Sequence, residues 1–583
     1  MDLPLRLLRG ESLYRDIHYL YPPLSPHLNS QLYRLFGVHL DVLHVIGIIC
    51  SALIVALCYR IARRLLAPSE ATIATIAVII LCIFKPTGNL ISPYTFAALY
   101  ATTFSLGVLL LTLRYVAPGK VADPPALSGG FEGNYGDSGF SLEGEPPAVG
   151  SRASLIGAGV LIGLAAITKQ EFALAGALTV TVALIYRYRH DYGRLVRELS
   201  FAAVPAMLIA LPVYGLLFYR LGWQTLVVDC HLFFTHLPAS LVYYNSQRTG
   251  LDYPLFSLIQ MMGAALVGVA AISAIVLLSD RKRVMFKPAS VVLIAALIVT
   301  TVIIIAAGRQ WDGSPLRALP LLLITFIVCG WSIPKGGMEE RAAAAARFII
   351  SVYSLAVLAR VSLRVPSGGA FGGFFLPTSL VLFCYLFLRF LPQVLGRWTR
   401  DALTAGRARQ IGQGLLIVML VAIAVVFSVR YRKNYSYELS EQRGRLYASK
   451  VVGAALGEAL DFIEKETQPD DPIAVLPEGS DLAFLTGRRM PLRHQIMIPG
   501  LMSERDEREV IEKLQQQHVR YVLIINRPMR EFGLEAFGRD FYTTLSDWID
   551  DHYQVVKVCG EQQDPDPEIG AQNFFVKILK LKE

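Results

Sequence analysis

Two carboxylate side chains stand close together near the N-terminus, among residue types that suit acid–base chemistry. Glu11 and Asp16 both follow Gly10 within a few residues. A carboxylate can take a proton from a hydroxyl group as a general base, or it can ligate a divalent cation through oxygen. Asp16 is the first candidate for a catalytic or supporting acid, and the alternative is a loop carboxylate that only caps a turn. Glu11 is the second candidate.

The same stretch contains Tyr14 and, further along, Tyr21 directly before Pro22 and Pro23. Consecutive prolines restrict the backbone and prevent a helix from continuing. The sequence therefore predicts a stiff loop in which Gly10, the two tyrosines and the proline pair position the carboxylates.

Two lysines stand where a phosphate group at a membrane surface could be bound. Lys169 lies beside Gln170 and Glu171, and it either contacts a phosphate or pairs with Glu171 as a lysine that extends to the interface. Lys85, in the stretch FKPTGN, is a further candidate, although an anchor at a helix end is the favoured interpretation there.

Two arginines form the other candidate phosphate site. Arg309 and Arg317 flank Asp312 in the stretch GRQWDGSPLRALP. Guanidinium groups bind phosphate oxygens bidentately. A structural salt bridge with Asp312 is the alternative.

Metal ligation has weak support in the sequence. His231 and His236 are five residues apart, which does not place them on one helical face, and Asp229 is nearby. The seven cysteines are spread through the chain without a metal-ligand spacing or a disulfide framework.

The composition indicates which elements must position these side chains. Apolar residues make up 54% of the chain and charged residues only 17%, outside the range of soluble globular proteins. The net charge of +9 does not indicate a nucleic-acid partner, because the basic residues lie between apolar runs rather than in one patch. We therefore expect a polytopic membrane protein in contact with lipids.

The apolar runs predict twelve membrane spans, several of them near the length that crosses about 30 Å of hydrocarbon. The predicted spans are 42–59, 71–84, 92–113, 155–167, 172–186, 199–219, 255–279, 288–307, 315–333, 348–363, 375–394 and 411–429. Basic residues concentrate in alternate loops, which the positive-inside rule assigns to the cytoplasm. Residues 1–41 and everything after about 430 then lie outside the cytoplasm, and the protein is expected in the plasma (inner) membrane.

Three regions follow from this pattern: an extracytoplasmic loop over 1–41, a helical bundle over 42–430, and an extracytoplasmic domain over 431–583. The Gly- and Pro-rich segment 117–152 predicts a flexible cytoplasmic loop. In the C-terminal region, alternating strand and helix patterns predict a small α/β domain. We find no nucleotide-binding glycine motif and no nucleophilic serine motif in that region.

The N-terminal residues also carry a family resemblance. The patterns LLxGxxxYxD over 7–16, YPPLxP over 21–26 and LxRLFG over 32–37 resemble the first extracytoplasmic loop of GT-C glycosyltransferases. The resemblance is strongest to family 39-like enzymes that use polyprenyl-phosphate sugars, related to protein mannosyltransferases and the lipid A aminoarabinose transferase. The stretch Thr168, Lys169, Gln170 resembles a tripeptide found at a short helix hairpin in many members.

This resemblance implies a GT-C-like helical bundle and transfer of a sugar from a polyprenyl-phosphate carrier to an extracytoplasmic glycan, lipid or protein. It implies inversion at the anomeric carbon, a carboxylate base, for which Asp16 and Glu11 are the candidates, and cationic residues on the donor phosphate. Family members vary in metal dependence, so the resemblance leaves open whether a divalent metal ion is needed. Tyr21 stands where some relatives have a basic residue.

The resemblance also implies a preceding transmembrane helix that ends in an acidic motif, upstream of the position of Gly10. Here the sequence starts inside the pattern, so we expect an N-terminally truncated chain that lacks the principal acid of the family. The rival functions are a transporter or flippase of lipid-linked saccharide, and an inactive remnant. Transporters usually contain internal repeats, and we find none.

Overall fold

A computed structural model describes residues 1–86, 88–117, 150–279, 314–331, 338–365, 369–561, 566–570 and 573–583. The chain divides into two compact units. The first contains Met1–Ile46, Val213–Asp252 and Val429–Glu583, and the second contains Gly47–Pro212 and Tyr253–Ser428. The predicted span 288–307, Arg309 and most of the predicted loop 117–152 lie outside the described residues.

The described residues are mostly helical, as expected. In chain order the helices up to the last apolar one are α1 Asp2–Leu8, α2 Leu24–Phe36, α3 Leu40–Ala62, α4 Pro68–Val78, α5 Phe96–Val116, α6 Arg152–Ala166, α7 Gln170–Tyr188, α8 Tyr192–Trp223, α9 Ala239–Thr249, α10 Pro254–Ser279, α11 Leu319–Gly330, α12 Met338–Leu358, α13 Gly369–Phe375, α14 Pro377–Tyr385, α15 Leu391–Thr399 and α16 Ala402–Asn434. Short π-helical segments extend α4 through Ile79–Ile83 and α8 through Gln224–Asp229.

Eight helical stretches among the described residues are long and apolar enough to cross a membrane, and three shorter apolar helices accompany them. The three shorter ones are Pro68–Ile83, Arg152–Ala166 and Leu316–Gly330. Every predicted span within the described residues overlaps one of these helices. The expected multipass, mainly α-helical membrane architecture is therefore confirmed.

Close backbone contacts hold the second unit together. A Cβ atom added to Gly159 in α6 would lie 2.2 Å from the carbonyl oxygen of Ala202 in α8, so only glycine permits this approach. The buried Glu70 of α4 forms ion pairs with Arg389 and Arg409, each with an N–O distance of 2.6 Å. These contacts join α4 to the π-helical segment Leu386–Phe390 that follows α14, and to α16, at a level that the charge pattern predicts to be cytoplasmic.

The C-terminal part of the first unit is the predicted small α/β arrangement. It continues with β1 Tyr437–Glu441, β2 Gly444–Ala448, α17 Lys450–Glu466, β3 Ile473–Leu476, α18 Ser480–Thr486, α19 Glu504–Gln516, β4 Tyr521–Ile525, α20 Thr543–His552, β5 Tyr553–Cys559 and β6 Val576–Leu581. Strands β3 and β4 are parallel, and β6 and β5 continue the sheet antiparallel in the order β3-β4-β6-β5. β3 and β4 are buried along their whole length, which agrees with their continuous apolar sequences.

Hydrogen bonds in the first unit attach the N-terminal segment to this C-terminal part. The amide of Leu40 donates to the carbonyl of Arg443 over 2.8 Å, and the amide of His18 donates to the carbonyl of Arg493 over 2.9 Å. The buried Arg6 donates to the carbonyl of Leu492 over 2.6 Å. The loop with the candidate carboxylates is therefore supported by residues far away in sequence.

Candidate functional site

Helix α1 and its end bring the N-terminal carboxylates into place. Gly10 follows α1 with φ 90°, a left-handed conformation that glycine adopts without a Cβ clash. The amide of Gly10 donates to the carbonyl of Leu7, and the amide of Glu11 donates to the carbonyl of Arg6, both over 3.1 Å. The glycine of the motif thus ends the helix and turns the chain back toward Arg6.

Glu11 is held by an arginine that sequence reasoning did not identify. The Nε and Nη2 atoms of Arg6 donate to Oε2 of Glu11 over 2.8 and 2.5 Å. The side chain of Arg6 is buried, whereas that of Glu11 is 34% exposed. Nη2 of Arg6 also donates to the carbonyl of Asp16 over 3.2 Å. A guanidinium three to five residues before an acid is a signal that could have suggested this pair.

Asp16 accepts hydrogen bonds from its own loop. Its Oδ2 accepts from the amide of Ser12 over 2.8 Å and from Nη2 of Arg15 over 3.0 Å, and its Oδ1 accepts from Nε of Arg15 over 3.1 Å. These bonds, chiefly the one from Arg15, hold the pKa of Asp16 below its usual value. The side chain is 36% exposed. The carboxylate therefore caps the turn and is also an ionised acceptor at neutral pH that solvent reaches.

Tyr14 has a strained backbone inside this loop. Its φ is 72°, which is unusual for a bulky residue and costs on the order of 1–3 kcal/mol. Its ring is buried, and its hydroxyl donates to the carbonyl of Tyr21 over 2.8 Å. Burial raises the pKa of Tyr14 well above its usual value, so the phenol stays protonated and donates. Non-glycine strain of this kind is a reason to look for function.

An apolar cluster supports the strained residue. Leu13 and Tyr14 pack with Leu226, Val227, Cys230 and Leu232, all buried. The ring of Tyr21 lies 6.0 Å from that of Phe234. Pro22 and Pro23 are buried and immediately precede α2, where Pro23 is the N-cap. The expected stiff loop is thus packed against residues 226–234.

Two histidines lie where this loop meets the C-terminal part, and sequence reasoning did not select either of them. The rings of His18 and His494 are 4.6 Å apart between centroids. Burial is the main cause that lowers the pKa of His18 well below its usual value and that of His494 to about 3. Both imidazoles are therefore neutral at pH 7 and pack without charge repulsion.

The basic candidates lie in the second unit. Lys169 is buried, and its Nζ donates to the hydroxyl of Tyr94 over 3.0 Å and lies 3.4 Å from Oε1 of Glu171. Nη1 of Arg360 donates to Oε2 of the same Glu171 over 2.9 Å. The ion pair with Glu171, one of the two interpretations of Lys169, is present. A role in phosphate binding stays a prediction.

Lys85 and Arg317 are also in the second unit, and both are buried. Lys85 follows the π-helical end of α4, and Arg317 lies in a 3-10 turn, Ser314–Ala318, before α11. Arg309 and Asp312 lie outside the described residues. The roles of these basic side chains stay predictions.

The Lys169 pair makes a measurable prediction. We expect the losses in free energy of unfolding in Lys169→Met and in Glu171→Gln to add up to about 1–2 kcal/mol more than the loss in the double variant. The reason is that each single substitution removes the same contact. Urea unfolding of the two single variants and the double variant in detergent gives this coupling. The exposed pair Arg397 and Glu340, with an N–O distance of 3.0 Å, is the control and should couple by at most about 0.5 kcal/mol. A Lys169–Glu171 coupling no larger than the control would contradict the assignment.

The described residues contain no group of three or more His, Cys, Asp or Glu side chains arranged to hold a metal ion. Asp229 ends the π-helical segment after α8, and His231 and His236 lie in the irregular stretch that follows. The carbonyl of Asp229 lies 3.1 Å from Nε2 of His18. This stretch therefore contacts the first loop.

Comparison with known proteins gave matches among solved structures. No family model and no curated protein matches the sequence. The chain is similar to ArnT from Cupriavidus metallidurans bound to undecaprenyl phosphate, with 12% identity, a TM-score of 0.44, and coverage of 99% of this chain and 92% of ArnT. It is also similar to the oligosaccharyltransferase of Archaeoglobus fulgidus in complex with Zn and sulfate, with 11% identity, a TM-score of 0.48, and coverage of 99% and 83%.

Proposed function

We propose that this protein is a membrane glycosyltransferase that moves a sugar from a polyprenyl-phosphate carrier to a hydroxyl-bearing extracytoplasmic acceptor. The observation that carries the proposal is the ionised, solvent-reached carboxylate of Asp16 in a strained loop whose sequence follows the GT-C pattern. The multipass architecture supports a substrate anchored in lipid. The charge pattern of the loops supports a reaction at the extracytoplasmic face.

In the proposed reaction Asp16 takes the proton of the acceptor hydroxyl as its oxygen attacks the anomeric carbon. The bond between that carbon and the phosphate oxygen breaks, and its electron pair leaves with the polyprenyl phosphate. Attack from the face opposite the leaving group inverts the anomeric carbon. General-base assistance of this kind is worth about 10²–10⁴ in rate.

The other groups have supporting roles in the proposal. Glu11, fixed by Arg6, adds negative charge to the same loop and is the second candidate base. The donor phosphate is bound by the basic residues Lys85, Lys169, Arg309 and Arg317, since cationic side chains stabilise the charge that develops on a departing phosphate.

The proposal is tested with purified protein in liposomes that contain a polyprenyl-phosphate sugar labelled in the sugar. We expect label to appear on an added acceptor and not merely on the opposite side of the membrane. Label that crosses the bilayer while still attached to its carrier would indicate a flippase and would overturn the proposal. Protein-free liposomes provide the control for leakage.

A further inference from the structure

One arginine of the C-terminal part contacts the backbone of the strained loop at several points. Nη2 of Arg493 donates to the carbonyl of Tyr14 and Nε donates to the carbonyl of Arg15, both over 3.1 Å. Its Nη2 also lies 3.7 Å from Sγ of Cys230. One planar guanidinium therefore contacts two successive carbonyls of the loop and the segment that packs beneath it.

The guanidinium is itself held in place. Nη1 of Arg493 lies 3.6 Å from Oδ1 of Asp506, and the side chain of Arg493 is only 14% exposed. Asp506 takes part in the capping box of α19, where its Oδ2 accepts from the amide and the hydroxyl of Ser503 over 2.8 Å. The arginine is therefore positioned by the start of a helix, which is a rigid element.

The hydrogen bonds from Arg493 reach the loop at its strained residue, Tyr14. Tyr14, with φ 72°, directs its carbonyl to Arg493, and Asp16 is two residues further on. A left-handed tyrosine persists only when surrounding contacts determine it. Besides Arg493, those contacts include the apolar cluster around the ring, the hydrogen bond from the Tyr14 hydroxyl to the carbonyl of Tyr21, and the hydrogen bond from the Tyr14 amide to the carbonyl of Ile17 over 2.8 Å.

We propose that Arg493 is a positioning residue that fixes the conformation of residues 14–18 and thereby the location of the Asp16 carboxylate. The inference rests on the proposed transferase function for its consequence in rate, although the positioning itself does not require that function. A displacement of about 1 Å in a reacting group can cost 10²-fold in rate. Loss of the guanidinium should therefore lower kcat by about 10²-fold, with little change in KM, because the contacts of Arg493 described above are all with other residues of the protein.

The test compares Arg493→Ala with Arg489→Ala. Arg489 is exposed and contacts Gln517 at 3.4 Å, so it is a matched arginine in the same segment without a loop contact. In Arg493→Ala the amide of His18 still has the carbonyl of residue 493 as its acceptor, so we expect the protein to fold. Arg493→Lys is a milder variant that keeps the charge near Asp506 but lacks the planar fork.

Two measurements decide the inference. Hydrogen exchange at the amides of Tyr14, Asp16 and His18 should become faster in Arg493→Ala and stay unchanged in Arg489→Ala. In the transfer assay kcat should fall in Arg493→Ala and rise again on addition of guanidinium ion, whereas Arg493→Lys should stay impaired. Unchanged exchange in Arg493→Ala overturns the positioning role even if no transfer is seen with any variant. Faster exchange with unchanged kcat overturns its link to catalysis.

Discussion

Replacing Asp16 with asparagine is expected to reduce sugar transfer by about 10²–10⁴-fold while the protein stays folded. Asparagine keeps a side-chain oxygen that can accept from the amide of Ser12, so the turn is retained. It has no negative charge and does not take a proton from the acceptor. The measurement is the initial rate of transfer at saturating donor, with the melting temperature in detergent as the check on folding.

The matched control for this variant is Asp470→Asn. Asp470 is an exposed carboxylate of the same unit that pairs with Arg9 at 2.6 Å. Its backbone is left-handed, with φ 65°, a conformation that asparagine tolerates. We expect transfer within about twofold of the wild type, since an exposed pair contributes little. Equal activity of Asp16→Asn and this control would remove Asp16 from the site.

The pH dependence of transfer follows from the same carboxylate. The hydrogen bond from Arg15 is the main cause that lowers the pKa of Asp16 in the folded protein. The carboxylate stays ionised as pH falls until the pH passes that lowered value, so the acid limb of kcat/KM, which reports groups of the free enzyme, should lie below the usual range for aspartate. Arg15→Gln should shift this limb to higher pH. A limb that does not move would contradict the assignment of the base.

Replacing Arg6 with methionine is expected to destabilise the protein by about 3 kcal/mol. The substitution leaves the carbonyls of Leu492 and Asp16 without this donor and removes the partner of Glu11. Arg6 is buried, so water replaces these bonds poorly. The free energy of unfolding in urea, measured in detergent, gives the effect, and transfer should fall as well because Arg6 also holds the loop that contains Asp16.

Arg9→Met provides the comparison on the segment directly after the same helix. Arg9 pairs with Asp470, and their side chains are 28% and 70% exposed. Exposed pairs contribute about 0–1 kcal/mol, so this variant should be close to wild type in stability. A loss in Arg6→Met that is no larger than the loss in Arg9→Met would contradict the role assigned to Arg6.

Much of the helical architecture is predictable from the sequence, because membrane helices are long and uniformly apolar. The strands over 473–476 and 521–525 are also predictable, since both are short runs of apolar residues next to amphipathic helices. Helix α1 lies within the segment 1–41, which the sequence predicts as an extracytoplasmic loop, and Pro4 stands in the first turn of this helix. Proline is tolerated there because the first amides of a helix have no partner within it.

The short hairpin of β1 and β2 is not predictable from the sequence. Tyr437–Glu441 and Gly444–Ala448 pair antiparallel around a tight turn. Two strands of five residues carry little periodicity, and their stability depends on packing against α17 and on the amide of Leu40 that reaches Arg443. Contacts of that kind are not visible in a local pattern.

In the candidate site, too, local features are predictable from the sequence and contacts between distant residues are not. Glu11, Asp16 and Lys169 were selected by residue type and local spacing. Arg493 and His494 were not selected, because their contacts with Tyr14 and His18 join residues that are far apart in sequence. The chemistry of a side chain can be read from its type, whereas its partner across the fold requires the structure.

The central claim is chemical transfer from a lipid-phosphate donor, and the release of free polyprenyl phosphate tests it most directly. With purified protein, a polyprenyl-phosphate sugar and an acceptor, we expect one polyprenyl phosphate to be released for each sugar joined to the acceptor, and almost none with Asp16→Asn. Disappearance of donor from one leaflet without release of polyprenyl phosphate would contradict the account.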